Sequence, residues 1–291
     1  MTQFNKVQTL GVCLFLLLLP STLLAYQVKT TKADQDWNPK EEWSDEGNPI
    51  PIRWFEPIVQ YSVSTTEAQG LEHDKLVQTV GEAMAIWIDS LRSQAIINDD
   101  KECFPDLVFS GESNNTTGGY VDGETNENTI VIIPDAEAWA ERGYEANALA
   151  MTIIASNSST GQIVDADIEI NGAVFAFSDP ASMDAEITKL GYTMIHEIGH
   201  MMGLGHSSVE TSVMFPTTTS DQASFPRLLD NDDIEGACYL YQQIQVAEEE
   251  TTVKKSGGGC DSSPGPSAPA GFGLILLAAF ALYAHRRQKI A

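Results

Sequence analysis

Three of the chain's five histidines lie in one eleven-residue stretch, HEIGHMMGLGH, from His196 to His206. On a helix, residues four apart share a face, so His196 and His200 can present both imidazoles to a single ion, with Glu197 in reach of a water bound there. Gly203 can take the left-handed conformation that ends a helix, after which the chain turns and His206 supplies a third nitrogen from outside it. Three protein ligands with a fourth position open is the coordination of catalytic zinc, whereas a closed set of four marks a structural site. The residue types therefore point to metal-assisted hydrolysis with Glu197 as the base. Histidines merely scattered through a core are the competing reading, and fixed letters at this spacing argue against it.

Such a site has to be carried by a rigid frame. Leu190, Met194, Ile198 and Met201 or Met202 form an apolar stripe that would seat the histidine helix against a sheet. A second amphipathic helix is expected in EHDKLVQTVGEAMAIWIDSL, with Leu76, Val80, Met84 and Ile88 at spacing four. Strand patterns occur at Ile50 to Val63, Asp106 to Gly111, Thr129 to Pro134, Ala148 to Ser156 and Gly161 to Asn171, and a last helix is expected in DNDDIEGACYLYQQI. The expectation is an α+β domain over 50–246, a twisted mixed sheet with an active-site helix and a C-terminal helix. The polar stretch 26–49 ahead of it is either a flexible arm or a short propeptide.

Both ends resemble sorting signals. Lys6 precedes the apolar run LGVCLFLLLLP and the small residues near Ala25, which is the pattern of a secretory signal peptide over 1–25; a retained anchor is the alternative, and export follows from either. At the other end a small-residue and proline linker over 247–271 leads to a marginal apolar span over 272–284 and a basic tail over 285–291, which would face the cytoplasm. A cysteine-bearing Gly/Ser motif, a short span and an Arg-rich end together resemble the tripartite C-terminal sorting tails (MYXO-CTERM type) of some Gram-negative bacteria. That resemblance implies a membrane association and a sorting or processing enzyme acting near Cys260. Sixteen Lys and Arg against 41 Asp and Glu give a net charge of −25, which repels phosphate backbones and argues against a nucleic-acid partner. Cys13 would leave with the signal, so Cys103 and Cys238 are the natural disulfide pair, two buried free thiols being the alternative.

HEIGHMMGLGHSSVETSVMFP, His196 to Pro216, resembles the zinc signature of metzincin metallopeptidases, and the serine after the third histidine with a methionine eight residues beyond the histidine resembles the matrixin branch. PIRW…IVQYSV, DLVFSG, GQIVDADIEIN and LLDNDDIEGACYLY extend the resemblance in the same order over most of 50–242. It implies a metzincin-like fold, His196, His200 and His206 as zinc ligands, Glu197 as general base and acid, and Met214 as the Met-turn residue beneath the metal. It also implies a protein or peptide substrate, with the strand ALAMTIIAS expected to pair with it. The chain departs from the family in having no cysteine between Ala25 and Cys103 to cap the zinc, no histidines for a second zinc site, and Thr218 where matrixins often carry a tyrosine lining the specificity pocket. Asp165, Asp167 and Glu169 alternate along one strand, where like charges repel unless solvated or bridged by a cation. Matrixins bind structural calcium near such segments, so calcium is a candidate there and a solvated acidic face is the alternative. The resulting expectation is an exported zinc endopeptidase, against the alternative of a non-enzymatic surface or adhesion protein that keeps the scaffold.

Overall fold

The computed structural model describes residues 26–32, 36–39, 49–67, 70–98, 103, 105–177, 181–217, 225 and 228–241. The stretches expected to be a signal peptide, a linker, an apolar span and a basic tail, with Cys260, all lie outside the described residues. No helix among the described residues is long and apolar enough to cross a membrane.

Five strands form one sheet: β1 (Ile58–Ser64), β2 (Asp106–Ser113), β3 (Thr129–Ile133), β4 (Ala150–Ser156) and β5 (Ile163–Asn171), in the order β2-β1-β3-β5-β4. The pairs among β2, β1, β3 and β5 are parallel, and β4 closes one edge antiparallel to β5. The sheet is therefore mixed, as expected of the α+β class. β3 sits at its centre and is buried throughout, because the helices cover one face and Trp139 packs on Val131 and Ile133 from the other. Trp139 comes from α2 (Ala136–Glu141), a single short helix capped where Asp135 Oδ1 accepts the Ala138 N–H at 2.8 Å.

Helix α1 (His73–Asn98) and helix α3 (Met183–Met201) pack on each other and against the sheet. The buried stripe of α1 runs through Leu76, Val80, Ala83, Met84, Trp87 and Leu91, while Ile88 is only half-buried. A step of four overruns the 3.6-residue turn, so the inward face drifts from Ile88 to Trp87 by the third turn. Trp87 Nε1 then donates to the Ile195 carbonyl at 2.8 Å, tying α1 to the centre of α3. Leu190, Met194, Ile198 and Met201 of α3, and Met202 just after it, are all fully buried, as the stripe predicts.

A last helix, α4, spans 231–241. Its Tyr241 donates to the Met202 carbonyl at 2.8 Å, and Cys238 is disulfide-bonded to Cys103, with their α-carbons 4.4 Å apart. The described parts of the N-terminal arm are packed rather than loose: Val28 is fully buried and makes antiparallel bridges to both Trp37 and Leu204.

Candidate active site

Helix α3 stops where the sequence suggests. Gly203 has a φ of 96°, the Leu204 N–H reaches back to the Gly199 carbonyl at 3.0 Å, and the Gly203 N–H to that of His200 at 2.8 Å. This pair of bonds is the Schellman termination, which needs a residue without a β-carbon at its left-handed position. The chain leaves the helix at an angle that brings His206 back over His196 and His200. The three rings have centroids 4.7, 5.4 and 4.9 Å apart, and one ring nitrogen from each lies within 4.8 Å of the others.

The donor set fits a zinc ion. His196 Nδ1 is 2.7 Å from the Val213 carbonyl and His200 Nδ1 is 2.8 Å from the Leu204 carbonyl, so each Nδ1 carries the proton and each Nε2 lone pair is left for a metal. Burial pushes the pKa of all three imidazoles below the ordinary value, and in His200 and His206 the neighbouring histidines push it further down. Neutral imidazole is the form that binds metal. Among the described residues, these three form the one such cluster of potential ligands.

Glu197 is buried beside them, 7% exposed. Burial raises its pKa, opposed chiefly by a hydrogen bond from Thr152. The Thr152 hydroxyl lies 2.6 Å from Glu197 Oε2 and 3.1 Å from the Glu197 carbonyl. Thr152 stands on the edge strand β4 and is a site residue that the sequence did not reveal. The cleft over these groups has a volume of about 610 Å³ and is walled by β4 on one side and by Tyr192, Phe215, Pro216 and Lys29 on others.

Met214 lies under α3. A β-carbon on Gly199 would overlap the Met214 sulfur and press on Trp87, so the glycine between Ile198 and His200 makes room for the Met214 side chain as it lies. The turn itself hangs on the start of α4. Asp233 accepts from the Val213 N–H at 3.0 Å, the Met214 N–H at 3.2 Å and the Ser212 hydroxyl, and Asp232 accepts from the Ser207 hydroxyl at 2.6 Å. Burial raises Asp233 to about 6 against those bonds. Because the Val213 carbonyl holds His196, Asp233 fixes that ring at one remove. In the sequence, DNDD was legible as the start of the last helix and as part of a resembling segment, but not as the support of this turn.

Asp165, Asp167 and Glu169 lie on β5, as expected, but not on a solvated face: they are 2%, 2% and 1% exposed. That alternative is corrected by the loop at 118–119, which folds over the strand. Asp167 accepts the Gly119 and Thr129 N–H groups at 2.6 and 2.7 Å; Glu169 accepts the Gly118 N–H at 2.9 Å and lies 2.8 Å from Arg142 Nε. Burial and then the charge of Asp167 raise Asp165 to about 7. Thr218 lies outside the described residues.

The sequence model of the family described as Matrixin matches residues 53–242. Among curated proteins, the chain is 57% identical over 47 residues to Metalloendoproteinase 2-MMP of Arabidopsis thaliana, a match covering 16% of this chain and 12% of that protein. It is 46% identical over 55 residues to Metalloendoproteinase 5-MMP of the same plant, covering 19% and 15%. It is 48% identical over 50 residues to Matrilysin of Rattus norvegicus, covering 17% and 18%. The matched stretches thus span less than a fifth of these relatives' own lengths.

Proposed function

Because the chain belongs to the matrixin family, whose members are zinc-dependent, we propose that it is an exported zinc metalloendopeptidase that cleaves peptide bonds in protein or peptide substrates. The observation that carries this is the convergence of three imidazoles on one point, beside the buried Glu197 carboxyl, in the floor of an open cleft. His196, His200 and His206 would hold the zinc. When bound, that ion polarises a carbonyl and acidifies a water. Thr152 occupies Glu197 Oε2, which leaves Oε1 to take the proton of the attacking water and return it to the departing amine. No side-chain nucleophile is required. The β4 edge pairs only with β5 among the described strands, so its outer side can receive an extended substrate by strand addition. A scaffold kept for adhesion has no use for a buried base beside an open metal position, which weighs against the non-enzymatic alternative.

Export and processing complete the proposal. A disulfide between Cys103 and Cys238 supports an oxidising destination. The signal peptide over 1–25, the membrane segment over 272–284 and a sorting enzyme acting near Cys260 rest on the sequence patterns alone. Calcium at Asp165, Asp167 and Glu169 is supported by the crowding of Asp165 on Asp167, which a cation would relieve, and opposed by the N–H donors and Arg142 already in place.

The test is a peptide-library profile of the purified full chain together with its metal content. Cleavage at internal bonds, abolished by a chelator and restored by zinc, is expected. A zinc-loaded protein that cleaves nothing in the library would overturn the proposal.

A further inference from the structure

The loop that carries His206 is held by a segment that lies outside the 53–242 match. The Gly205 N–H donates to the Gln27 carbonyl and the Lys29 N–H to the Gly203 carbonyl, both at 2.8 Å, with Val28 and Leu204 bridged antiparallel between them. Asp36 adds a side chain to this clamp. Its Oδ2 accepts the His206 N–H at 3.0 Å, and its Oδ1 lies 3.6 Å from Lys29 Nζ. Gly205 makes the approach possible, since a β-carbon there would run into the Asp36 carboxylate.

The three histidines differ in what fixes them. His196 and His200 stand on a helix, and each has its Nδ1 held by a backbone carbonyl. The ring of His206 makes no hydrogen bond to a described residue, so its placement is left to the backbone on which it stands. That backbone has just left the helix, and it is held there by Gln27, Lys29 and Asp36. Of these contacts, that of Asp36 is the one made by a side chain to His206 itself, and Lys29 Nζ lies beside the other carboxyl oxygen.

We propose that Gln27–Lys29 and Asp36 are a permanent part of the metal centre, with Asp36 as the positioning residue for His206, and that this segment is retained in the mature protein rather than removed as a propeptide. The proposal rests on the reading of His206 as a zinc ligand. Loss of a group that orients a metal ligand costs about 10- to 100-fold in metal affinity.

The experiment uses the full chain as wild type, Asp36→Ala, Asp36→Asn and Gly205→Ala. The readouts are zinc Kd by chelator competition and the visible spectrum of the cobalt-substituted protein, neither of which depends on turnover. Asp36→Ala is expected to weaken zinc by about 10- to 100-fold and to alter the cobalt bands, and Asp36→Asn, whose amide oxygen can accept the same N–H, to recover most of the loss. Gly205→Ala, which displaces the carboxylate without touching a ligand, is expected to resemble Asp36→Ala and decides the matter if that variant does not fold. Wild-type zinc affinity and cobalt spectrum in either alanine variant would overturn the proposal, as would a fully zinc-competent mature chain that begins after Asp36. If the wild type binds no zinc, the ligand reading and this inference fall together. If zinc weakens as expected in a protein that cleaves no peptide, only the peptidase reading falls.

Discussion

Replacing Thr152 by valine removes one hydroxyl from the site and little else. Valine has nearly the same shape and suits an edge strand, so β4 should be kept. What disappears is the 2.6 Å bond to Glu197 Oε2, leaving a buried carboxylate without its partner. A hydrogen bond to a charged group is worth about 1.5–3 kcal/mol, which corresponds to a loss of about 10- to 150-fold if the bond orients the base in the transition state. The assay is kcat/KM on an internally quenched peptide, with zinc content and Tm measured on the same samples. Zinc should stay stoichiometric, because the Thr152 hydroxyl is hydrogen-bonded to Glu197 and is not one of the ligand cluster, and Thr152→Ser should keep most of the activity. Turnover within about twofold of wild type in the valine variant would refute the role assigned to Thr152. So would a loss of activity that merely follows a loss of zinc.

Gly199→Ala should destabilise the fold and lower zinc content together, because its methyl overlaps the Met214 sulfur and presses on Trp87; a wild-type melt would show that the Met214 side chain can yield. Replacing both Cys103 and Cys238 by alanine opens a crosslink of sequence separation 135, for which chain entropy gives roughly 5 kcal/mol as an upper figure, so the variant should melt well below wild type. Finding both thiols free in the native protein would reject the pairing. Asp165, raised from 3.8 to about 7, binds its proton more tightly folded than unfolded, so its contribution is full below about pH 4 and is lost as pH rises towards 7. Asp165→Asn should therefore gain in Tm over wild type at about pH 8 and not at about pH 4. Millimolar calcium should raise the wild-type Tm at the higher pH if calcium binds there, and an unchanged melt would remove calcium from the account.

The parts of the site legible in the sequence are those encoded locally. A helix fixes the relation of His196, Glu197 and His200, and one glycine fixes where it stops, so spacing alone carries that geometry. The strands were legible for the same reason, as apolar runs between breakers, except that the run expected from Ile50 becomes strand only at Ile58, with isolated bridges at Pro51 and Arg53 before it. Their order and the antiparallel edge at β4 were not, because pairing partners are far apart in sequence and many registers satisfy the same pattern. Short α2 escaped because six residues give too little periodicity against which to read a cap. Thr152, Asp36 and Asp233 escaped for a third reason. Each acts across a long gap in the chain, 45 residues from Thr152 to Glu197 and 170 from Asp36 to His206, and in a chain with 41 acidic residues one more aspartate carries no signal of its own.

Glu197 is assigned the proton and the three histidines the metal, and Glu197→Ala separates the two roles. The measurement is zinc stoichiometry and kcat/KM on the same preparation of the full chain. Zinc should stay at the wild-type level while kcat/KM falls by several orders of magnitude, because Glu197 lies beside the ligand cluster without belonging to it. Wild-type-like cleavage by the alanine variant would contradict the account.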